Sequence, residues 1–194
     1  MRRALLLLAL GACSPSIASA TYLCGPEELC PEGQKCNGVD NTCVVASDAL
    51  PFACDSADQI DETPAQGQVI DNLSCVSILN VARGCLTASD AADWYQFDIP
   101  DNCAAVQIEA KLEFPIAYEP LALQLASEGG AAVAAETPCG ASTVADEGED
   151  VRCFEMTVPV GTHHALGVVH TGTADCDGAC ANNRYTLSLQ LATP

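Results

Sequence analysis

Three histidines, thirteen cysteines and 26 acidic side chains are the groups in this 194-residue chain with chemistry to offer. His163 and His164 are adjacent, so on a strand they point to opposite faces and cannot chelate one ion. His164 and His170 share a face, but six residues at about 3.3 Å each separate them by roughly 20 Å. Neither pair fits the H-E-x-x-H spacing of zinc hydrolases, and no G-x-S-x-G elbow offers a serine nucleophile. The histidines are expected to be exposed on strands or loops, with no catalytic residue among them. Asp146, Glu147, Glu149 and Asp150 form an acidic run whose oxygens suit Ca²⁺. The run lacks EF-hand spacing, so a solvated acidic loop is the expectation, and Ca²⁺ is the one candidate ion. The clusters Asp58, Asp61, Glu62 and Asp90, Asp93 are read the same way. No other cofactor is expected.

Thirteen cysteines point to an oxidising compartment and a disulfide framework. The net charge of −19 argues against nucleic acid, which needs clustered Lys and Arg, and against electrostatic docking on anionic lipid. Met1-Arg2-Arg3 followed by seven apolar residues is too short to cross a bilayer and reads as an export signal. Leu10-Gly11-Ala12-Cys13 resembles the lipobox of bacterial lipoproteins, which implies cleavage before Cys13 and lipidation of its thiol. Cleavage of an ordinary secretory signal near Ala18-Ser19-Ala20 is the alternative. Either way Cys13 leaves the disulfide count and twelve cysteines remain to pair: 24, 30, 36, 43, 54, 75, 85, 103, 139, 153, 176 and 180. Loss of Arg2 and Arg3 takes the charge from −19 to −21, so acyl chains rather than charge must hold such a body to a membrane.

The expected organisation is a signal peptide at 1–12, a tether at 13–23, a Cys-rich module at 24–47, a linker at 48–57 and a larger domain at 58–194. Cys24, Cys30, Cys36 and Cys43 fall within 20 residues that hold only Leu29 and Val39 as large apolar side chains, so two disulfides must hold the module. Gaps of five or six and the absence of His speak against zinc. The phrase Cys24-Gly25-Pro26 to Cys30-Pro31-Glu32-Gly33-Gln34-Lys35-Cys36 resembles small EGF-like modules of bacterial lipoproteins, without the residues of their calcium-binding members.

Beyond the linker the pattern alternates with period two, the mark of half-buried strands. Val106, Ile108, Ala110, Leu112 and Phe114 form one apolar face, with Gln107, Glu109, Lys111 and Glu113 on the other. Tyr95-Phe97-Ile99, Leu121-Leu123-Leu125, Phe154-Met156-Val158, Leu166-Val168 and Tyr185-Leu187-Leu189-Leu191 continue the series. With Val69-Ile70 and Val76-Ile78 this predicts about eight strands. The fold expected is an all-β, antiparallel, jelly-roll-like β-sandwich. Cys176 with Cys180, and Cys139 with Cys153, are close enough in sequence to pair across loops. Cys54, Cys75, Cys85 and Cys103 are left to pair among themselves in an open order.

Asp90-Ala91-Ala92-Asp93-Trp94-Tyr95-Gln96-Phe97, Val158-Pro159-Val160-Gly161-Thr162 and Asn183-Arg184-Tyr185-Thr186-Leu187 together resemble the bacterial pre-peptidase C-terminal domain over roughly residues 58–194. Eight cysteines in that span depart from the family's usual pattern. The resemblance implies a β-sandwich that serves as a non-catalytic appendage, hence an accessory or binding role in the bacterial cell envelope, at the outer membrane or cell surface. A protein or glycan partner is expected, with the membrane engaged through the lipid anchor and nucleic acid excluded. A carbohydrate-binding module is the second reading, with Tyr118 and Trp94 as the candidate ligand contacts. A secreted hydrolase system is the setting such an accessory domain would serve. The two lysines set against 26 acidic residues also resemble salt-adapted surfaces, where salt screens self-repulsion.

Overall fold

The computed structural model describes residues 17–54, 61–71, 73–75, 78–127, 130–172 and 182–192. Cys13, Asp58, Cys176 and Cys180 lie outside them, as does the reading of Val76 as a strand residue. The main body is the expected all-β sandwich. Its strands are β3 (Gln68–Val69), β4 (Asn80–Leu86), β5 (Ala92–Asp98), β6 (Val106–Pro115), β7 (Leu121–Ser127), β8 (Val133–Ala134), β9 (Glu149–Val158), β10 (His163–His170) and β11 (Asn183–Ala192). They form a five-stranded sheet in the order β3-β5-β10-β7-β8 and a four-stranded sheet in the order β4-β11-β6-β9. Every pairing is antiparallel except the two-residue contact of β3 with β5. From β4 to β7 the chain alternates between the sheets, and from β9 to β11 it retraces that path, which is jelly-roll connectivity.

The alternation read from sequence is the alternation of burial. Val106, Ile108, Leu112 and Phe114 of β6 meet Leu187, Leu189 and Leu191 of β11 and Phe97, Leu121, Leu123, Leu166 and Val168 of the facing sheet in one core. At about 1.5–3 kcal/mol for each such side chain buried, this core is the main source of the sandwich's stability. Strand β4 was not legible in the sequence. Its inward positions carry the small Ala82 and Gly84 ahead of Leu86, while Val81 and Arg83 face outward, so large apolar residues do not keep to one phase. Gly84 is required there: a Cβ would lie 2.1 Å from the Tyr185 hydroxyl oxygen on the neighbouring strand.

The N-terminal module is a hairpin of β1 (Gln34–Cys36) and β2 (Cys43–Val45), cross-linked by Cys24–Cys36 and Cys30–Cys43. Two boundaries of the sequence reading need correction. The described part of the supposed tether, residues 17–23, belongs to the module: Ala20 N donates to Cys43 O, Cys43 N donates to Tyr22 O, and Leu23 bridges Thr42. The supposed linker is a strap. Gly38 N donates to Leu50 O, Phe52 packs under the module, and Cys54 is bonded to Cys85 of β4. In both stretches backbone groups find partners on the hairpin, which small and polar residues in a sequence do not reveal. The remaining described disulfides join Cys75 to Cys103 and Cys139 to Cys153. No helix among the described residues is long and apolar enough to cross a membrane.

Candidate functional site

The module sits on one end of the sandwich through a seam built around Tyr118 and Arg184. Tyr118, at 2% exposure, meets the Phe52 ring edge to face at 4.7 Å and lies in one apolar cluster with Cys24, Cys43 and Ala117. Glu28 N donates to Ala117 O. The Arg184 guanidinium donates to Val39 O at 2.6 Å and to Gly38 O, and lies 5.0 Å from the Phe52 ring centre. Burial pushes the Tyr118 phenol up from its ordinary pKa, with nearby Arg184 pulling the other way.

Tyr118 is therefore covered by the module and cannot serve as the ligand contact predicted for it. Trp94 is corrected too. It is 3% exposed, packed with Ala92, Ala126 and Ala165, and crossed by the backbone of Gly67, where a Cβ would lie 2.8 Å from the Trp94 carbonyl carbon. The indole itself lies against Gly167 of β10, where a Cβ would come within 2.8 Å of its ring atoms, a neighbour that the alternation of β5 alone does not show.

The histidines are placed differently from one another. His163 is exposed and bonded through Nδ1 to Asp98 at 2.8 Å, at the rim of a cleft of about 350 Å³ floored by Ala126 and Ala165. His164 is buried rather than exposed, because β10 is a central strand covered on both faces. It bonds to Ser127 Oγ and Thr162 Oγ1, each at 2.8 Å. Thr162 spends its single proton on Pro159 O, so its oxygen accepts from His164 Nε2–H and Ser127 donates to Nδ1. His170 lies 3.5 Å from the buried carboxylate of Glu119 and bonds to Thr87 O. Each imidazole is held by neighbouring strands and loops.

The carboxylate clusters are corrected in turn. Asp61, Asp90 and Asp93 are buried, not solvated. Gln68 Nε2 donates to Asp61 at 2.7 Å and the Tyr185 hydroxyl donates to Asp93. Tyr185 and Tyr95 share a 2.8 Å hydroxyl–hydroxyl bond that ties the two sheets together. Burial pushes the Tyr95 phenol up to about 12, with Asp93, Asp61 and Asp90 adding to the shift and the Tyr185 bond opposing it. Burial raises Tyr185 well above its ordinary value. In the acidic run, Asp150 pairs with Arg152 at 2.8 Å. Burial first, then Glu113 and Asp146, raise the Glu149 carboxyl. Among the described residues, the one set of three ligand-type atoms within 4.8 Å of each other is Cys24, Cys30 and Cys43, all committed to disulfides. No three of the carboxylates of Asp146, Glu147, Glu149 and Asp150 bring ligand oxygens within 4.8 Å of one another.

The outer face of the four-stranded sheet is concave. Two adjoining clefts, about 390 and 370 Å³, cover it. One is walled by the strap that Cys54–Cys85 fastens to β4, the other by the 137–143 loop that Cys139–Cys153 fastens to β9. The floor is the polar phase of β11 and β6, in which Thr186 faces Glu113, Ser188 faces Lys111 and Gln190 faces Glu109 across the ladder. Arg83 of β4 extends the Thr186 row. Lys111 pairs with Glu113 at 2.9 Å, and Gln190 Nε2 donates to Glu109 at 2.7 Å. The lining also holds three buried polar atoms with no hydrogen-bond partner among the described residues: Asn41 Oδ1, Arg184 Nε and Thr137 Oγ1. The sequence shows Glu109, Lys111, Glu113 and Gln190 as the polar phase of two strands. That these strands are neighbours, and that disulfides raise walls beside them, is visible only in the fold.

No family model matches the chain, and no curated protein sequence matches it. Among solved structures, it is similar to the pre-peptidase C-terminal domain of a collagenase from Bacillus anthracis, at 15% identity and a TM-score of 0.44, over 69% of this chain and 99% of that one. It is also similar to periplasmic inhibitors of g-type lysozyme. The Salmonella Typhimurium protein matches at 15% identity and a TM-score of 0.40, over 64% and 98% of the two chains. The Aeromonas hydrophila protein matches at 10% identity and 0.36, over 64% and 95%.

Proposed function

We propose that this chain is a non-catalytic binding module of the bacterial cell envelope, lipidated at Cys13, which presents the outer face of its four-stranded sheet to a macromolecular partner. The disulfides support an address outside the cytoplasm. The observation that carries the binding reading is the walled outer face, where two disulfide-fastened segments flank a polar floor and preserve an open concavity. His164 supports the non-catalytic reading, since both of its ring nitrogens are engaged, with Ser127 and Thr162.

The chain has two lysines, Lys35 on the module and Lys111 on the floor, so amine acylation reports on both surfaces at once. Lipidated protein in its native envelope is expected to show Lys111 protected relative to the detergent-extracted protein, with Lys35 unchanged. Equal labelling of Lys111 in the two states overturns the binding face. The acyl mass on Cys13 and its loss in Cys13→Ser test the anchor, and a mature N-terminus at Thr21 without acyl mass overturns it.

A further inference from the structure

The geometry points to an uncharged, hydroxyl-rich glycan strand as the occupant of the walled outer face, an inference that rests on the binding reading above. The floor alternates donors with acceptors across the β6–β11 ladder: the ammonium of Lys111 stands against the Ser188 hydroxyl, and the amide of Gln190 against the carboxylate of Glu109. Cross-strand neighbours lie about 5 Å apart and same-face neighbours along a strand about 7 Å apart. The surface is therefore a lattice of closely spaced groups of both kinds.

A sugar hydroxyl gives one proton and accepts into two lone pairs, so it satisfies a donor and an acceptor together. Charge narrows the choice further. The carboxylates of Glu109, Glu113 and Glu155 on or beside the floor, in a chain of net charge −19, repel a polyanion. Lys111, Arg83 and Arg184 on the same face stand against a cationic peptide. The two central strands of the floor, β6 and β11, present no aromatic or large aliphatic side chain to grip an apolar helix; Val81 and Val151 stand apart on the flanking strands, opposite Ser188 and Glu113. A neutral polymer of hydroxyls meets none of these penalties.

The test titrates the full lipidated chain in detergent with neutral linear hexasaccharides (cellohexaose, chitohexaose, maltohexaose), with hexagalacturonate and hexalysine as charged contrasts. Calorimetry and Lys111 acylation are the readouts. The expected result is saturable binding of at least one neutral hexasaccharide, with Lys111 protected. Gln190→Ala and Ser188→Ala, both on an outer surface away from the core, should each weaken it roughly three- to tenfold, the net value of one hydrogen bond. Binding unchanged in both variants places the sugar elsewhere and overturns the inference. If Lys111 is protected in the native envelope but by no neutral sugar, or by hexalysine or hexagalacturonate instead, the glycan is wrong and the binding face stands. If Lys111 is protected by nothing, envelope included, both fail.

Discussion

Arg184 and Phe52 meet face to cation, 5.0 Å from guanidinium carbon to ring centre, and through them the last strand of the sandwich holds the strap that follows the module. The same guanidinium bonds the carbonyls of Gly38 and Val39. One side chain thus engages the hairpin, the strap and the sandwich.

Arg184→Met should cost about 2–3 kcal/mol, the value of charge-assisted bonds together with a cation–π contact. Hydrogen exchange should quicken at Gly38 and across 34–45 while the strands near Val106–Phe114 keep their protection. Uniform loss of protection in both regions would show that the seam is part of one cooperative core.

The Tyr95 phenol gives an alkaline signature. Its folded pKa of about 12 lies above the unfolded value near 10, so the unfolded chain releases this proton first. Its contribution is fully present below pH 10 and is lost as pH rises from 10 through 12. Denaturant midpoints measured from pH 8 to 12 should fall over that window in the wild type and fall less in Tyr95→Phe.

Tyr185→Phe removes the donor from the buried Asp93 carboxylate and should destabilise by about 1–3 kcal/mol. Thermal melts of Tyr185→Phe alone and paired with Asp93→Ala would show coupling. Strict additivity of the two losses would contradict a shared bond.

Gly84→Ala should cost about 1–3 kcal/mol, because the new methyl meets the Tyr185 ring end. Replacing that ring with Tyr185→Leu in the same chain should recover part of the loss. No recovery would assign the cost to the β4 backbone.

Cys54→Ala with Cys85→Ala opens a 31-residue cross-link, worth about 3–4 kcal/mol on chain-entropy grounds. It should also release the strap, seen as faster exchange at Leu50, whose backbone bonds to Asn37 and Gly38. An unchanged melting temperature would show that Phe52 alone holds it.

The sandwich was legible because β5, β6, β7, β9 and β11 alternate large apolar residues with polar ones, and the two faces of a strand then sort themselves. Strand β4 was hidden because inward Ala82 and Gly84 are small, Gly84 making room for Tyr185, while Val81 faces outward. The site was less legible for a different reason. Tyr118 and Trp94 attract attention as aromatics, but the module covers Tyr118, and the Trp94 indole packs against Gly167 and among Ala126 and Ala165, all distant in sequence. The acids Asp61, Asp90 and Asp93 likewise look like solvent-facing charge until the fold encloses them around Tyr95 and Tyr185. Alternation reports which phase of a strand is apolar. It does not report what another part of the chain lays on top.

The engagement of residues 17–23 with the hairpin also sets a leash length. Were Cys13 acylated, only three residues would separate it from Ile17, whose carbonyl already accepts from Gln34, a reach of at most about 14 Å over four Cα steps. The seam at Tyr118 and Arg184 continues that fixity into the sandwich. Such a protein does not cast its binding face outward on a long flexible line. On the proposed anchor it would sit close to the surface that carries it, and the proposed binding face would meet an occupant spread along that surface.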